Sequence, residues 1–189
     1  MTIKSMNELL AQADATIEDN TTGNITPSDV RSLIKDLIDT ISPAYGAIGI
    51  TTPVVFPLTA TPAVLKPFDA SLANVPSHYT NNLANGSVTR LVTSAGLAGA
   101  TDFVIIDGNV EGPNGDLVTI ALYKNGSPTP YTTSVMTTGA SEPIGFNLAA
   151  LSYTAADAVY EIRVSGDAGN KTFSKTSLIC QSQPVRSFV

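Results

Sequence analysis

The sequence predicts a mainly β protein in which a C-terminal antiparallel sandwich of the jelly-roll type follows a short N-terminal helical arm. Three observations predict this architecture. Apolar residues recur with helical spacing near the start of the chain, a proline-rich stretch follows, and from residue 88 onward short runs alternate apolar and polar residues between turns. With 189 residues, the chain suits one medium domain and a short appendage.

The predicted arm comprises residues 1–45 and contains one clear amphipathic helix. Thr26 is the expected N-cap, Pro27 takes the first helical position, and Ser42-Pro43 ends the helix. A helix of about four turns is marginal alone in water, so its apolar stripe must dock on another surface. The docking residues predicted from this stripe are Val30, Leu33, Ile34, Leu37, Ile38 and Ile41.

Residues 46–68 are rich in proline and lack a helical period, so we interpret them as an extended connector that leads into the first strand. The jelly-roll domain is then expected over residues 69–189. Turn sequences such as GPNG, NGSPTP and GDAGN separate its short strands. The predicted strands cover residues 88–93, 103–110, 117–124, 131–138, 144–148, 158–164 and 171–181.

Charge and composition argue against several classes of partner. Charged residues make up only 14% of the chain, which indicates that part of the uncharged surface is covered in a permanent assembly. The net charge of −6, without clustered Lys and Arg, argues against nucleic acid. No stretch approaches the roughly 18 apolar residues of a membrane span, so no membrane partner is expected.

The candidate sites for chemistry have simpler structural interpretations. Residues 107–118 mimic the start of an EF-hand loop, but Val118 stands where calcium requires a bidentate Glu. His78, the only histidine, is interpreted as a loop residue, and Cys180, the only cysteine, as a small apolar side chain in the core. We therefore predict no catalytic residue, no metal site and no cofactor, and expect that the protein is not an enzyme.

Two sets of motifs resemble known families. VTIALYKNGSPTP, IGFNLAALSYTAADAVYEIRVSG and KTFSKTSLICQ resemble the last strands of the C1q/TNF-like jelly roll, with Ala156-Asp157 in place of that family's usual Gly-Asp. DNTTGNITPSDVRSLIKDLIDTI, residues 19–41, is similar to the leader of many tailed-phage virion proteins. Together the two resemblances cover about three quarters of the chain.

The resemblance implies a homotrimer, because C1q/TNF-like jelly rolls pack three around an axis and bury aromatic and aliphatic side chains of one sheet. It also implies a virion structural protein, assembled in the host cytoplasm, whose arm binds the major capsid protein or another virion protein. A capsid decoration, cement or head-fibre role is favoured over a tail fibre, because the chain has no repeat or heptad run to form a shaft.

Two alternatives stay open at this point. A tail-fibre or tail-tip module would recognise a host surface glycan or protein through loops at its outer end, expected at 125–130 and 166–170. Asn125, Ser127 and Thr129 are then the expected recognition residues. A hydrolase acting on cell-surface sugar would instead need two carboxylates paired in a cleft.

Overall fold

The computed structural model describes residues 30–34, 44–74, 78–92, 100–139 and 142–183. Residues 30–34 are helical. The strands of the described segments are β1 (Ala44–Ile50), β2 (Val54–Leu58), β3 (Ala63–Val64), β4 (Ala70–Asn74), β5 (Tyr79–Asn82), β6 (Ser87–Arg90), β7 (Ala100–Glu111), β8 (Leu117–Lys124), β9 (Thr132–Thr137), β10 (Ile144–Thr154), β11 (Ala158–Gly166) and β12 (Gly169–Gln183). No helix in this part of the chain is long and apolar enough to cross a membrane.

The strands form two sheets that pack face to face. Sheet A has the order β10-β7-β12-β1-β4, and β2 pairs with β12 beyond the end of β1. Sheet B has the order β5-β6-β11-β8-β9, and β3 pairs with β11. Every strand pairing in the described segments is antiparallel. The predicted antiparallel sandwich of the jelly-roll type is confirmed.

The core lies between the sheets and follows the alternation of the sequence. In β8, Val118, Ile120 and Leu122 point inward and are at most 1% exposed. Inward residues of β7, β11 and β12 meet them in one apolar cluster. Each fully buried aliphatic side chain of this kind contributes about 1.5–3 kcal/mol relative to an exposed one.

The hairpin that follows β8 uses the turn residues expected from the sequence. Asn125 and Gly126 have φ angles of 55° and 65°, and Ser127 N donates to Lys124 O at 3.1 Å. Two successive residues with positive φ suit an Asn-Gly turn, which here begins the loop 125–131 between β8 and β9. Asn125 is also tied to β11, because Val159 N donates to its Oδ1 at 2.8 Å.

The structure differs from the expected connector over residues 46–68. β1 pairs with β12 on one side and β4 on the other, so it lies inside sheet A. Its glycines follow from this position: a Cβ at Gly46 would lie 2.6 Å from Tyr79 Cβ, and one at Gly49 would lie 2.7 Å from Leu72 Cδ1. Six of its seven residues are buried and Tyr45 alone is exposed, so the strand lacks an alternating burial pattern.

The two ends of the sandwich carry different loops. We call the end where β1 begins the entry end, because the chain enters the sandwich there at Ala44, which pairs with Ser182. Lys124 and loop 125–131 lie at the same end. The turn after β11 at Gly166 lies at the far end, where Gly166 pairs with Val118. At about 3.4 Å per residue, the eight residues of β8 separate these ends by roughly 25 Å.

Candidate assembly surface

The outer face of sheet A, the face turned away from the core, carries no charged side chain over two full rows of neighbouring residues. Strand register defines both rows. Gln181 is the one polar residue in these two rows. The large apolar side chains of Phe103, Ile105 and Ile179 are half-buried in the single chain. The first row is Ala149, Ile105, Ile179, Ala47 and Ala73, and the second is Leu151, Phe103, Gln181 and Tyr45.

This face continues onto the edge of the sheet at β10. Leu151 and Tyr153 are 66% and 64% exposed, the highest values among the large hydrophobic side chains of the described residues. Tyr131, which precedes β9, lies beside them and donates its hydroxyl to Leu151 O at 2.8 Å. Contiguous exposed apolar surface of this kind marks a site of protein contact.

The outer face of sheet B differs in charge. Arg163 Nε donates to Glu161 Oε1 at 2.7 Å, so an ion pair lies on this face. The Arg163 guanidinium also stacks 4.3 Å from the ring centroid of Tyr123 and helps to keep that ring only 4% exposed. On sheet A the row beyond Ile105 carries Asp107, so the candidate assembly surface is the part of its outer face formed by the two uncharged rows.

A buried polar network lies between the sheets at the entry end. Its centre is Asp102, which has no exposed surface. Tyr79 donates its hydroxyl to Asp102 Oδ1 at 3.0 Å, and Tyr160 donates to Asp102 Oδ2 at 2.8 Å. The members come from six strands of both sheets: Tyr79, Arg90, Asp102, Lys124, Ser152 and Tyr160.

In part of this network the hydrogen bonds all run in one direction, because a lysine stands at one end and a carboxylate at the other. Lys124 can only donate, and it contacts Ser152 Oγ at 2.9 Å. Ser152 Oγ lies 2.9 Å from the Tyr160 hydroxyl, whose single proton goes to the carboxylate of Asp102. Ser152 must therefore donate to Tyr160, and a chain of hydrogen bonds runs from the Lys124 ammonium to Asp102.

Arg90 supplies the second cation of the network. It is 1% exposed, its Nε lies 3.6 Å from Asp102 Oδ1, and its guanidinium carbon lies 5.0 Å from the Tyr79 ring centroid. Its Nε and Nη1 have no hydrogen-bond partner among the described residues. Asp102 is thus the counter-charge on which this buried cation depends.

Burial shifts the pKa values of groups in and beside the network. Burial raises the pKa of the Tyr79 hydroxyl, and the charge of Asp102 adds to this increase. Burial raises the pKa of the Cys180 thiol as well, whereas it lowers the pKa of Lys124. Cys180 is fully buried, which confirms its interpretation as a core side chain.

His78 lies in the turn before β5, as a loop histidine, but it is only 6% exposed. Burial, with a further effect of the Arg90 charge, lowers its pKa to about 4. The imidazole is therefore neutral near pH 7.

The calcium-like sequence at residues 107–118 starts inside a strand. Asp107, Asn109 and Glu111 belong to β7, and Ser177 Oγ donates to Asp107 Oδ1. Within the segments that the structure describes, no group of three or more His, Cys, Asp and Glu side chains could hold a metal ion.

A lysine occupies the far end of the sandwich. The Lys171 side chain is fully buried, and its Nζ lies 2.8 Å from Asp116 Oδ2. A Cβ at Gly112 would lie 2.4 Å from Lys171 Cδ, so the lysine stem packs directly on that glycine. Lys171 thereby ties loop 112–116 to β12.

The predicted docking residues are only partly described. Val30 and Ile34 are helical and 42% and 51% exposed, and Leu33 is half-buried. Leu37, Ile38 and Ile41 lie outside the described residues.

The predicted recognition residues lie in one loop at the entry end. The carboxamide of Asn125 accepts from Val159 N, and Ser127 Oγ accepts from Thr129 N at 3.1 Å. The other loop expected beside them, residues 166–170, lies at the far end. The two loops therefore do not form one surface.

Sequence reasoning missed the buried network, although one signal was present. Asp102 lies two and four residues before Val104 and Ile106, so all three side chains point to the side of β7 that faces the core. An ionisable residue on the core side of a strand is rarely buried without partners, so this position indicated a buried polar group.

Comparisons with known proteins concern the fold. No family model and no curated protein matches the sequence. Murine APRIL, solved at pH 5.0, is 5% identical with a TM-score of 0.50, covering 74% of this chain and 98% of that chain. The globular domain of zebrafish complement 1qA is 10% identical with a TM-score of 0.48, covering 75% of this chain and 97% of that chain. Eiger TNF from S. frugiperda is 14% identical with a TM-score of 0.46, covering 75% and 92%. The chain has the fold of a C1q/TNF-like jelly roll.

Proposed function

We propose that this protein is a non-enzymatic virion structural protein of a tailed phage that forms homotrimers and decorates or cements the capsid. The outer face of sheet A joins the three copies, and the arm up to residue 43, which ends before β1, binds the major capsid protein or another virion protein. The virion role is inferred from residues 19–41, which resemble the leader of tailed-phage virion proteins. The trimer is inferred from the jelly-roll sandwich.

The observation that carries the self-association is the pair of charge-free rows on the outer face of sheet A, which lie on the entry-end side of Asp107, the charged residue of the next row. Charged side chains are expected on a solvent-exposed sheet face of a chain with a net charge of −6, and the outer face of sheet B carries them. Burying the apolar side chains of sheet A against another copy stabilises the assembly by about 25 cal/mol per Å² before ordering costs.

The proposal also gives the sandwich an orientation. The arm joins the sandwich at Ala44, so the entry end is turned toward the particle and the far end away from it. Loop 125–131 then faces the particle. This orientation supports decoration over the alternative in which Asn125, Ser127 and Thr129 recognise a host surface.

The self-association is tested by placing charge on the proposed interface. Ile105→Asp combined with Leu151→Asp puts two carboxylates on the outer face of sheet A. The control, Thr80→Asp with Asn82→Asp, adds the same charge on the exposed side of β5 in sheet B. Light scattering after gel filtration should give about three times 19.6 kDa for the wild type and the control, and 19.6 kDa for the interface variant.

Circular dichroism must show that each variant is folded. A folded interface variant that stays trimeric would exclude this face as the contact surface. A wild-type protein that is monomeric at micromolar concentration would exclude the trimer itself.

A further inference from the structure

The free edge of β10 is a second surface at which copies of the protein could meet. β10 has eleven residues and pairs only with β7 among the described strands. A long edge strand presents unpaired main-chain groups to which another strand can add, and proteins commonly block such edges with specific side chains.

Two side chains of the other half of the sandwich bind this edge. Tyr131 donates its hydroxyl to Leu151 O at 2.8 Å, and Lys124 Nζ donates to Tyr153 O at 2.6 Å. The two carbonyl groups are two residues apart and point the same way, toward the side of β10 that lacks a strand. We call Lys124 and Tyr131 the bracket.

The bracket is held in place from inside the protein. Lys124 also donates to Ser152 Oγ, which leads through Tyr160 to the buried Asp102. Its ammonium lies 6.0 Å from the ring centroids of both Tyr131 and Tyr160. Unlike a freely rotating surface lysine, Lys124 has an orientation set by an interior anion and two rings.

We propose that the bracket is an edge guard: it occupies the acceptors of β10 at the entry end and prevents the strand of another molecule from continuing sheet A there. Copies then associate through the side chains of the outer face, which can close into a finite ring. Addition of β10 to the opposite edge of sheet A in the next copy, β4, would instead be a head-to-tail contact that repeats without closing and produces fibres. The inference goes beyond the virion role and applies equally to a monomer.

The guard leaves only the far half of the edge open. Gly145, Asn147 and Ala149 share the parity of Leu151 and Tyr153, so their main-chain groups also point to the free side. The bracket thus shortens the edge open to a new strand from residues 145–153 to residues 145–149.

The experiment removes the two hydrogen bonds and keeps the shapes of the side chains. The test variant is Lys124→Met with Tyr131→Phe. The matched control is Lys66→Met with Thr80→Val, which deletes one charge and one hydroxyl from exposed residues that lie off the outer face of sheet A and make no side-chain hydrogen bond among the described residues. Full-length proteins are incubated well below their unfolding temperatures, and light scattering, electron microscopy and hydrogen exchange are recorded over time.

We expect wild type and control to keep a constant mass, whereas the bracket variant grows steadily into fibres and gains exchange protection at the amides of residues 145–153. Ala149→Pro, which removes an edge N–H without touching the bonds to β7, should stop this growth in the bracket variant. A bracket variant that keeps the wild-type mass would overturn the proposal. So would growth that Ala149→Pro leaves unchanged, because that result assigns the growth to another surface. A monomeric wild type would count against the trimer but not against the guard.

Discussion

Replacing Asp102 with Asn tests whether the buried network stabilises the sandwich through its charge. The substitution keeps the shape of the side chain but leaves Arg90, 1% exposed, without its counter-ion. It also replaces one of the two oxygens that accept from Tyr79 and Tyr160 with an amide nitrogen that cannot accept.

The magnitude follows from these two losses. Removing one partner of a buried ion pair costs about 3–5 kcal/mol, because the remaining charge stays in a medium of low polarity. A hydrogen bond to a charged group contributes about 1.5–3 kcal/mol. The weakened hydrogen bond from one tyrosine is therefore counted within the roughly 3–5 kcal/mol and not added to it. A domain of this size loses roughly 2–4 °C of midpoint per kcal/mol, so we expect the thermal midpoint to fall by about 10 °C.

The assay is equilibrium unfolding in denaturant at pH 7. Glu111→Gln, which removes the same charge from an exposed side chain, should change the unfolding free energy by no more than about 0.5 kcal/mol. Arg90→Met in the Asp102→Asn background should restore part of the loss, with a coupling energy of about 1–3 kcal/mol. A loss below about 1 kcal/mol for Asp102→Asn, or independent effects of the two substitutions, would refute the reasoning.

Two further predictions concern acid stability and the particle. The pKa of His78 is about 4 in the folded chain and 6.5 when unfolded, so the unfolded state binds more protons between these values. Stability should therefore fall as the pH drops from 6.5 to about 4, by no more than about 3 kcal/mol from this residue, and His78→Gln should remove that part of the slope in unfolding titrations. An identical pH slope in the variant would contradict the burial argument. Deleting residues 1–43, which ends before β1, should leave a folded trimer that no longer binds the particle, and particles lacking the protein should release their genome at a lower temperature. Normal particle binding by the truncated chain would assign the anchor to the sandwich, and unchanged heat resistance would argue against cementing.

The local pattern of the sequence was sufficient for the second half of the sandwich. β8 coincides with the predicted residues 117–124, because its inward residues are apolar and Asn125-Gly126 sets the turn. β10 and β12 run longer than predicted, since their ends carry Ser152, Tyr153 and Ser182, whose burial or exposure depends on neighbours in space.

The sequence by itself determined the fold class, the Asn-Gly hairpin and the low charge that predicts a covered surface. Only the tertiary structure decided that Ala44–Ile50 is an inner strand, because it pairs on both sides and Gly46 leaves room for the buried Tyr79, which is distant in the chain. It likewise decided which rows of the outer face of sheet A lack charge and that Asp102, Lys124 and Tyr131 act together. The physical reason is the same in each case: periodicity reports which side of a strand a residue occupies, whereas contacts between strands depend on a register that only packing of the whole chain selects.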